Sequence, residues 1–301
     1  MESTSSEQFY QRLDRLNIAP GWHEPERRMA FLANQFQPGI WRYREAKAAI
    51  DEAADVVSTE EAERRNLILS NPISGGLAPT TGSIISAYQM VKPGEKARTH
   101  RHTAAALRLV IDTEPGMYTI VNGEAIPMLP GDVLLTPGMC WHGHANEGAA
   151  RAYWLDFLDV PFVLRMGAMA FEPSPKGYEN CDRKAPDSPF RIPAAAVFKP
   201  GQSGMVEIAK GVMPTIGLHL IRHDRGGTLE MAKGPIDSVY SVISGQARFA
   251  AEGWEARAER GDVVAIPCEH GHKIEALADD TVVLRVSDEP IFTGLGLIRA
   301  H

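Results

Sequence analysis

The chain has 301 residues, of which 44% are hydrophobic and 23% are charged, and its formal net charge is −7. This composition is typical of a globular protein of one or two domains, and it provides neither the basic stripe of a nucleic-acid binder nor an apolar run long enough to cross a bilayer. The N-terminal MESTSSEQFYQRLDRL lacks the pattern of a secretion signal, and the scattered Cys140, Cys181 and Cys268 indicate no disulfide framework, so we expect a cytoplasmic protein without nucleic-acid or membrane partners.

The first 70 residues predict a helical arm. RMAFLANQF and REAKAAIDEAADVV have the composition of helices, and Ser58 followed by TEEAE resembles a capped helix start that leads into ERRNLIL. From Asn71 the chain changes to short β-branched runs separated by Gly and Pro: SIISAYQMV, LRLVI, MYTIV, DVLLTP and ARAYWLDFL. Such runs are typical of a sandwich or small barrel, so 71–170 is expected to form a β domain.

A second β-rich block, 205–301, follows a Pro-rich segment, 171–204, that lacks periodicity and predicts a linker. The two blocks resemble each other, because VNGEAIPMLPGDVLLTPGMCWHGH aligns without a gap onto AEGWEARAERGDVVAIPCEHGHKI. The alignment pairs Gly131-Asp132 with Gly261-Asp262, and His142 with His272. We therefore expect a duplicated β unit and not one large sandwich.

Three histidines of the first block have the spacing of a metal site. His100 and His102 alternate on PGEKARTHRHTAAALRLVI, so a strand would point both imidazoles into one cavity, and His142 could arrive from a neighbouring strand. Three neutral imidazoles make an open site for a divalent first-row metal. The alternative is that these histidines are solvated or hydrogen-bonded without a metal, but the HxH pair with a third histidine favours the metal.

These motifs resemble the two signature motifs of the cupin superfamily, carried here by Gly94, His100, His102, Gly131, Pro137, His142 and Asn146. The glutamate that such proteins usually carry should fall near Ala106 or Leu107 and is absent, which would leave an all-histidine site. Segments from PGIWRY to SDEPIFTGLGLIRA are similar to the gentisate 1,2-dioxygenase group, which includes salicylate and 1-hydroxy-2-naphthoate dioxygenases.

The resemblance implies an all-β bicupin, with two jelly-roll β-barrel domains and an N-terminal helical segment, assembled as a homo-oligomer, usually a tetramer, although a dimer is possible. It implies an enzyme that uses Fe(II) and O₂ to cleave a hydroxybenzoate between its carboxyl- and hydroxyl-bearing carbons in aromatic degradation. His100, His102 and His142 would be the iron ligands. A small aromatic acid that chelates iron needs open positions, which a site without the glutamate would provide.

An anionic substrate also needs a cation, and arginine offers a carboxylate a planar fork of donors. Arg108 would share the face of the histidines if the strand were continuous, and the resemblance places Arg108 and Arg64 near the substrate carboxylate. Either arginine could instead pair with an acidic residue of the fold. Arg65 is by sequence an equal candidate to Arg64.

By the same resemblance, Gln89 lines the pocket, His144 neighbours the substrate or oxygen, and Asp156 orients the surrounding residues. Gln89 could instead satisfy a strand edge, and a buried aspartate needs partners in any case. Trp141 and Trp154 are expected in the core or the pocket wall.

The sequence Ile84-Ile85-Ser86-Ala87-Tyr88-Gln89 departs from the LWAxxQ of many relatives, because Ile85 replaces a tryptophan. We expect Ile85 and Ala87 to border the substrate and to change which ring substituents fit.

The second block reads Ala232-Lys233-Gly234 where an HxH would align, which leaves His272 with His270 close by. A degenerate second cupin domain without a metal is therefore expected. Two other functions stay open: a metal-bound cupin that binds an aromatic acid or sugar without turnover, and another cupin enzyme such as an isomerase or lyase.

Overall fold

The computed structural model describes residues 6–16, 36–58, 65–73, 78–179, 181 and 183–298. Helix α1 spans Ser6–Arg15. The chain from Phe36 onward forms a separate compact unit. Within the described residues, no helix has both the length and the apolar character needed to cross a membrane.

Strands β1 to β10 and two helices make up the first part of this unit. The strands are β1 (Gly39–Trp41), β2 (Arg65–Ile68), β3 (Ile85–Val91), β4 (Lys96–His102), β5 (Ala106–Asp112), β6 (Met117–Val121), β7 (Glu124–Pro127), β8 (Asp132–Thr136), β9 (His142–Asn146) and β10 (Ala152–Leu158). Helix α2 (Tyr43–Val56) lies between β1 and β2, and helix α3 (Val160–Arg165) follows β10.

Strands β11 to β21 complete the unit. They are β11 (Phe171–Pro173), β12 (Arg191–Pro193), β13 (Gly204–Ile208), β14 (Gly217–His223), β15 (Thr228–Met231), β16 (Ser238–Ser244), β17 (Gln246–Ala251), β18 (Trp254–Glu259), β19 (Val263–Ile266), β20 (His272–Ala276) and β21 (Thr281–Ser287). A short 3-10 turn, Ala194–Ala196, follows β12, and helix α4 (Glu289–Gly294) follows β21.

The strands form two barrels, each made of two sheets. In the first barrel, a six-stranded sheet ordered β12-β8-β5-β10-β3-β2 lies opposite a five-stranded sheet ordered β11-β4-β9-β6-β7. In the second barrel, the corresponding sheets are β1-β19-β16-β21-β14-β13 and β15-β20-β17-β18. The expected all-β architecture of two barrels is confirmed.

The two six-stranded sheets pack against each other between the barrels. Their outward-facing residues share one apolar cluster, which includes Leu107 and Leu155 from the first barrel and Leu220 and Leu284 from the second. Because side chains alternate along a strand, the opposite face of each sheet lines its own barrel. Strands such as β5 and β10 are therefore buried on both faces, which explains their nearly continuous apolar sequence.

The aligned repeats have matching backbone conformations. Gly131 and Gly261 adopt positive φ angles of 83° and 85°, and Met139 and Glu269 adopt 64° and 67°. A Cβ atom on Gly261 would also lie 2.8 Å from the Tyr43 ring, so only glycine fits that turn. The gap-free alignment of the sequence thus corresponds to two copies of one structural unit.

Each repeat also holds an added edge strand through the aspartate of its Gly-Asp turn. Arg191 of β12 pairs with Asp132 at 2.6 Å, and Arg42, next to β1, pairs with Asp262 at 2.9 Å. Strands β12 and β1 then lie antiparallel to β8 and β19. The N-terminal arm therefore contributes a strand to the second barrel.

Part of the predicted helical arm is a strand. ERRNLIL was expected to continue a helix, but Arg65–Ile68 forms β2, which pairs with β3 through register partners such as Leu67 and Tyr88. The edge of the six-stranded sheet provides backbone hydrogen-bond partners and buries Arg65, and this tertiary context outweighs helical composition. Residues 59–64 of the expected helix start lie outside the described residues.

Residues 171–204, expected to be a linker, contain two edge strands. Strand β11 pairs with β4 and strand β12 pairs with β8, so this segment extends both sheets of the first barrel. Both strands end in proline, which edge strands tolerate because one side of the strand makes no ladder. We propose 71–170 and 205–301 as the two barrel domains, with 171–204 connecting them while completing the first.

Two buried carboxylates connect the barrels. Each belongs to one barrel and accepts hydrogen bonds from the loop that precedes a strand of the other. The Thr215 hydroxyl, before β14, donates to Asp159 at the end of β10. Reciprocally, the Ser83 amide and hydroxyl, before β3, each donate to Asp237 at 3.1 Å. Asp288 lies beside Asp237 and accepts its backbone amide at 2.9 Å. These contacts fix the relative position of the two repeats.

The Asp288 carboxyl gives a test of this junction. Burial, with the neighbouring Asp237, raises the pKa of Asp288 from its ordinary 3.8 to about 7. The unfolded chain ionises this group from about pH 4 upward whereas the folded chain does not, so its stabilising effect is present below pH 4 and is lost as pH rises through 7. We expect Asp288→Asn to be more stable than the wild type at pH 8, by about 2–4 kcal/mol, and similar to it at pH 4.

Urea denaturation at pH 4, 6 and 8 measures this difference, with the exposed Asp187→Asn as the matched control. A difference between wild type and Asp288→Asn that does not change with pH would contradict the raised pKa.

Candidate metal centre

Adjacent strands bring the three predicted histidines together. Strand β4 pairs with β9 in antiparallel register, so that His100 lies directly opposite His142, while His102 is two residues further along β4 on the same face. The possible ligand atoms of the three side chains lie within 4.8 Å of one another, and all three residues are buried. The neighbouring-strand arrangement expected from the sequence is therefore present.

Backbone carbonyls orient all three imidazoles in the same way. Each Nδ1 lies within hydrogen-bonding distance of a carbonyl oxygen: His100 with Arg98 at 3.0 Å, His102 with Ala104 at 2.7 Å, and His142 with Cys140 at 2.9 Å. A proton on Nδ1 leaves the lone pair of a neutral imidazole on Nε2, which is the usual arrangement of metal-ligating histidines. The ligand atom of each residue would then be Nε2.

The His142 side chain tests whether a metal fits. Its Nε2 atom is buried and has no hydrogen-bond partner among the described residues, which is uncommon for a buried nitrogen. Burial, together with the nearby Arg108 and His100, lowers the pKa of His142 well below its usual range. The imidazole is therefore neutral, as a metal ligand must be.

No carboxylate joins the three histidines. Ala106 and Leu107, where the glutamate was expected, are fully buried apolar residues. Among the described residues, the three histidines form the only cluster of His, Cys or carboxylate side chains with metal-site geometry. Three neutral nitrogen ligands leave coordination positions open, and they suit several divalent first-row metals.

Arg108 enters this barrel from the opposite sheet. The strand is not continuous from His102 to Arg108, because β4 ends at His102 and β5 begins at Ala106, so the condition for a shared face is not met. The intervening turn places Arg108 in the six-stranded sheet, where it is 1% exposed and faces the barrel interior. It therefore approaches the histidine cluster from across the barrel.

Asp156 is the hub of a buried polar network. It lies directly opposite Arg108 in strand register, with its Oδ1 atom 3.3 Å from the Arg108 Nε atom. The Trp154 indole donates to Asp156 at 2.9 Å, and the Gln89 amide donates to the other carboxylate oxygen. On the other flank, the Arg108 Nη1 atom donates to the Thr136 hydroxyl at 2.6 Å. Gln89 thus joins this network and not a strand edge.

The remaining predicted pocket residues have these locations. His144 is 1% exposed, and its ring centroid lies 4.9 Å from that of Trp154. Ile85 and Ala87 alternate with Gln89 along β3 and so share its inward face, with Ala87 opposite Asp156 in register. Trp154 is fully buried, as expected, while Trp141 stacks beneath the Arg101 guanidinium at 4.5 Å.

The two N-terminal arginines differ. Arg64 lies outside the described residues. Arg65, its equal by sequence, is buried in an ion pair with Glu95 at 2.8 Å and donates to the Val57 carbonyl at 3.0 Å. Arg65 therefore anchors β2 and is not a candidate for the substrate site.

Two residues of the site were missed by sequence reasoning. Thr136 occupies an inward position of β8 where the second repeat has Ile266, and that polar substitution was the available signal. Phe171 stacks on His100 with ring centroids 5.1 Å apart, but it lies in the Pro-rich segment, where no periodicity indicated a strand.

In the second barrel, the histidine equivalent to His142 already makes a hydrogen bond through its Nε2 atom. His272 aligns with His142, and its Nε2 atom lies 2.6 Å from the Tyr240 hydroxyl. Strand register makes Tyr240 the counterpart of Arg108. Burial lowers the pKa of His272 to about 4, so the imidazole is neutral and accepts from the tyrosine. That this barrel binds no metal stays a prediction.

A model of the cupin domain matches residues 87–158, which contain all three histidines. Over 98% of its length the chain is 29% identical to a 5-aminosalicylate 1,2-dioxygenase of Comamonas sp., of which the match covers 90%. A gentisate 1,2-dioxygenase of Ralstonia sp. is 39% identical over 53% of the chain and 46% of that protein.

Residues 87–158 thus match a cupin domain, and the chain is similar to gentisate 1,2-dioxygenases and related dioxygenases.

The crystal structure of a salicylate 1,2-dioxygenase from Pseudaminobacter salicylatoxidans supports the bicupin fold, with a TM-score of 0.84 over 99% of this chain and 97% of that one. The two sequences are 24% identical. The cupin model matches about a quarter of this chain, and the Ralstonia enzyme matches about half of it. The Comamonas and Pseudaminobacter matches run nearly end to end.

A pair of histidine variants tests the assignment of the metal centre to the first barrel. We expect His142→Ala to lose bound metal, because two imidazoles hold a divalent ion much more weakly than three. His272→Ala should retain the metal content of the wild type, because the His272 Nε2 atom is already hydrogen-bonded to the Tyr240 hydroxyl. Inductively coupled plasma mass spectrometry after anaerobic reconstitution and desalting measures both, and the reverse result would assign the metal to the second barrel.

Proposed function

We propose that this protein is an Fe(II)-dependent dioxygenase that inserts O₂ between the carboxyl- and hydroxyl-bearing carbons of a hydroxybenzoate. The observation that carries the proposal is the all-histidine cluster facing the buried Arg108 across one barrel. Relatives named 5-aminosalicylate, gentisate and 1-hydroxy-2-naphthoate dioxygenases support it, since each named substrate is an aromatic acid with an adjacent hydroxyl.

The histidines His100, His102 and His142 would hold the iron through Nε2. When bound, Fe(II) supplies redox chemistry and open positions for the oxygen atoms of the substrate and for O₂. A carboxylate ligand would occupy one such position and add negative charge, so its absence at the inward-facing Ala106 favours a bidentate anionic substrate. Other divalent metals bind the same donors, so iron is part of the proposal.

The other residues of the barrel bind and orient the aromatic acid. The Arg108 guanidinium, with five N–H donors in a plane, is suited to the substrate carboxylate, and Asp156 fixes its orientation. His144 offers a buried imidazole that can donate or accept one proton beside the Trp154 ring. The low exposure of these side chains keeps bulk water from the reacting ring, which strengthens their electrostatic effect. We propose Arg64 as a further carboxylate contact by family resemblance.

The direct test is oxygen consumption. The protein is reconstituted anaerobically with Fe(II), mixed with gentisate, salicylate, 5-aminosalicylate or 1-hydroxy-2-naphthoate, and exposed to air. We expect O₂ uptake with a ring-opened product from at least one of them. Binding without O₂ uptake would support the non-turnover alternative, and a converted substrate with no O₂ uptake would support an isomerase or lyase.

The residue at position 85 gives a prediction about substrate range. Ile85 leaves more space on the inner face of β3 than the tryptophan of many relatives, so larger or substituted rings should fit. We expect Ile85→Trp to raise KM for 1-hydroxy-2-naphthoate about 10-fold relative to gentisate. Steady-state O₂ uptake with both substrates measures the ratio, Ile85→Val serves as the control, and an unchanged ratio would place Ile85 away from the ring.

We further propose a cytoplasmic homo-oligomer, a tetramer or a dimer. The family resemblance supports this assembly, and size-exclusion chromatography with light scattering would measure it.

A further inference from the structure

The Arg108 guanidinium is held from both neighbouring strands. Strand β5 lies between β8 and β10 in the sheet, and Arg108 faces the barrel interior between Thr136 and Asp156. Its Nη1 atom donates to the Thr136 hydroxyl at 2.6 Å, and its Nε atom lies 3.3 Å from the Asp156 Oδ1 atom. These two contacts on opposite flanks fix the plane of the guanidinium. With a single partner, the guanidinium could still rotate about the axis of the arginine side chain.

Trp154 fixes the aspartate in turn. It precedes Asp156 by two residues on the same face of β10, and its indole N–H donates to the Asp156 Oδ1 atom at 2.9 Å. The same ring packs against His144 in a tilted arrangement, with centroids 4.9 Å apart. Trp154 therefore bridges the arginine-bearing sheet and the strand that carries His142 and His144.

The second repeat provides an internal comparison. Strand register aligns Arg108 with Tyr240, Thr136 with Ile266, Trp154 with Val283 and Asp156 with Arg285. All four of these residues differ in the second barrel. If these four residues only stabilised the barrel, both repeats would benefit from them equally. Because the second repeat has none of the four, we link them to the site of the first barrel.

We propose that Thr136 and Trp154 are positioning residues that set the orientation of the Arg108 guanidinium toward the carboxylate of the aromatic substrate. This inference rests on the proposed function. Thr136 contacts the Arg108 guanidinium directly, and Trp154 acts on it through Asp156. Their removal weakens recognition of the carboxylate and leaves the metal in place.

Conservative variants test the two residues by steady-state kinetics with the Fe(II)-loaded protein. Thr136→Val preserves the side-chain shape and removes the hydroxyl, and Trp154→Phe preserves an aromatic ring beside His144 and removes the N–H. Loss of one hydrogen bond to a charged group weakens an interaction by about 10-fold or more, so we expect KM for the aromatic acid to rise about 10-fold while kcat changes less than about 3-fold. Thr136→Ser should restore KM to near the wild-type value.

The binding step is measured separately by anaerobic calorimetric titration of salicylate and of benzoate, which has the carboxylate without the hydroxyl. Both dissociation constants should rise in Thr136→Val, and iron content should equal that of the wild type. In an Arg108→Lys background, Thr136→Val should cause little additional loss, because the residue acts through the guanidinium. If Thr136→Val does not fold, Thr136→Ala replaces it in the same series.

Ser238→Ala is the matched control. Ser238 accepts a hydrogen bond of 3.1 Å from the buried Arg285 of the second barrel, so the variant removes an equivalent hydroxyl away from the site. Its KM should equal that of the wild type. A wild-type protein that binds no hydroxybenzoate would contradict the proposed function itself. Normal wild-type binding with unchanged KM in both folded variants, or equal losses in kcat and in iron content, would overturn the positioning role.

Discussion

The antiparallel pairing of β4 with β9 is the interaction on which the site depends. It places His100 opposite His142 and brings three imidazoles within ligand distance, while backbone carbonyls two residues away turn each Nε2 atom toward the common centre. A shift of one residue in this register would turn His142 out of the barrel, because side chains alternate between faces. The geometry of the centre is therefore a consequence of strand register.

The second barrel supports the sheet that faces the histidine cluster. The sheet that presents Arg108, Asp156 and Gln89 to the interior has its other face in the apolar layer between the barrels. Displacing any of these strands would expose or misalign buried residues of both barrels, at a cost that close packing makes high. The second repeat thus has a structural role, with Tyr240 and Arg285 at the positions of Arg108 and Asp156.

Strand positions and the histidine cluster could be predicted from the sequence, because period-two alternation, Gly-Asp turns and HxH spacing are local signals. Long-range contacts left weaker signals. β2 has a helical composition, and only its pairing with β3 makes it a strand. The turn between β4 and β5 moved Arg108 to the facing sheet, and Thr136 became part of the site only through its hydrogen bond to Arg108.

We propose that three imidazoles alone bind the metal and leave the other positions to the aromatic acid and O₂. X-ray absorption at the iron edge of the anaerobic, Fe(II)-loaded protein tests it most directly. We expect one iron per chain whose only protein ligands are three imidazole nitrogens. A carboxylate or sulfur ligand from the protein, or fewer than three imidazoles around a fully loaded iron, would contradict it.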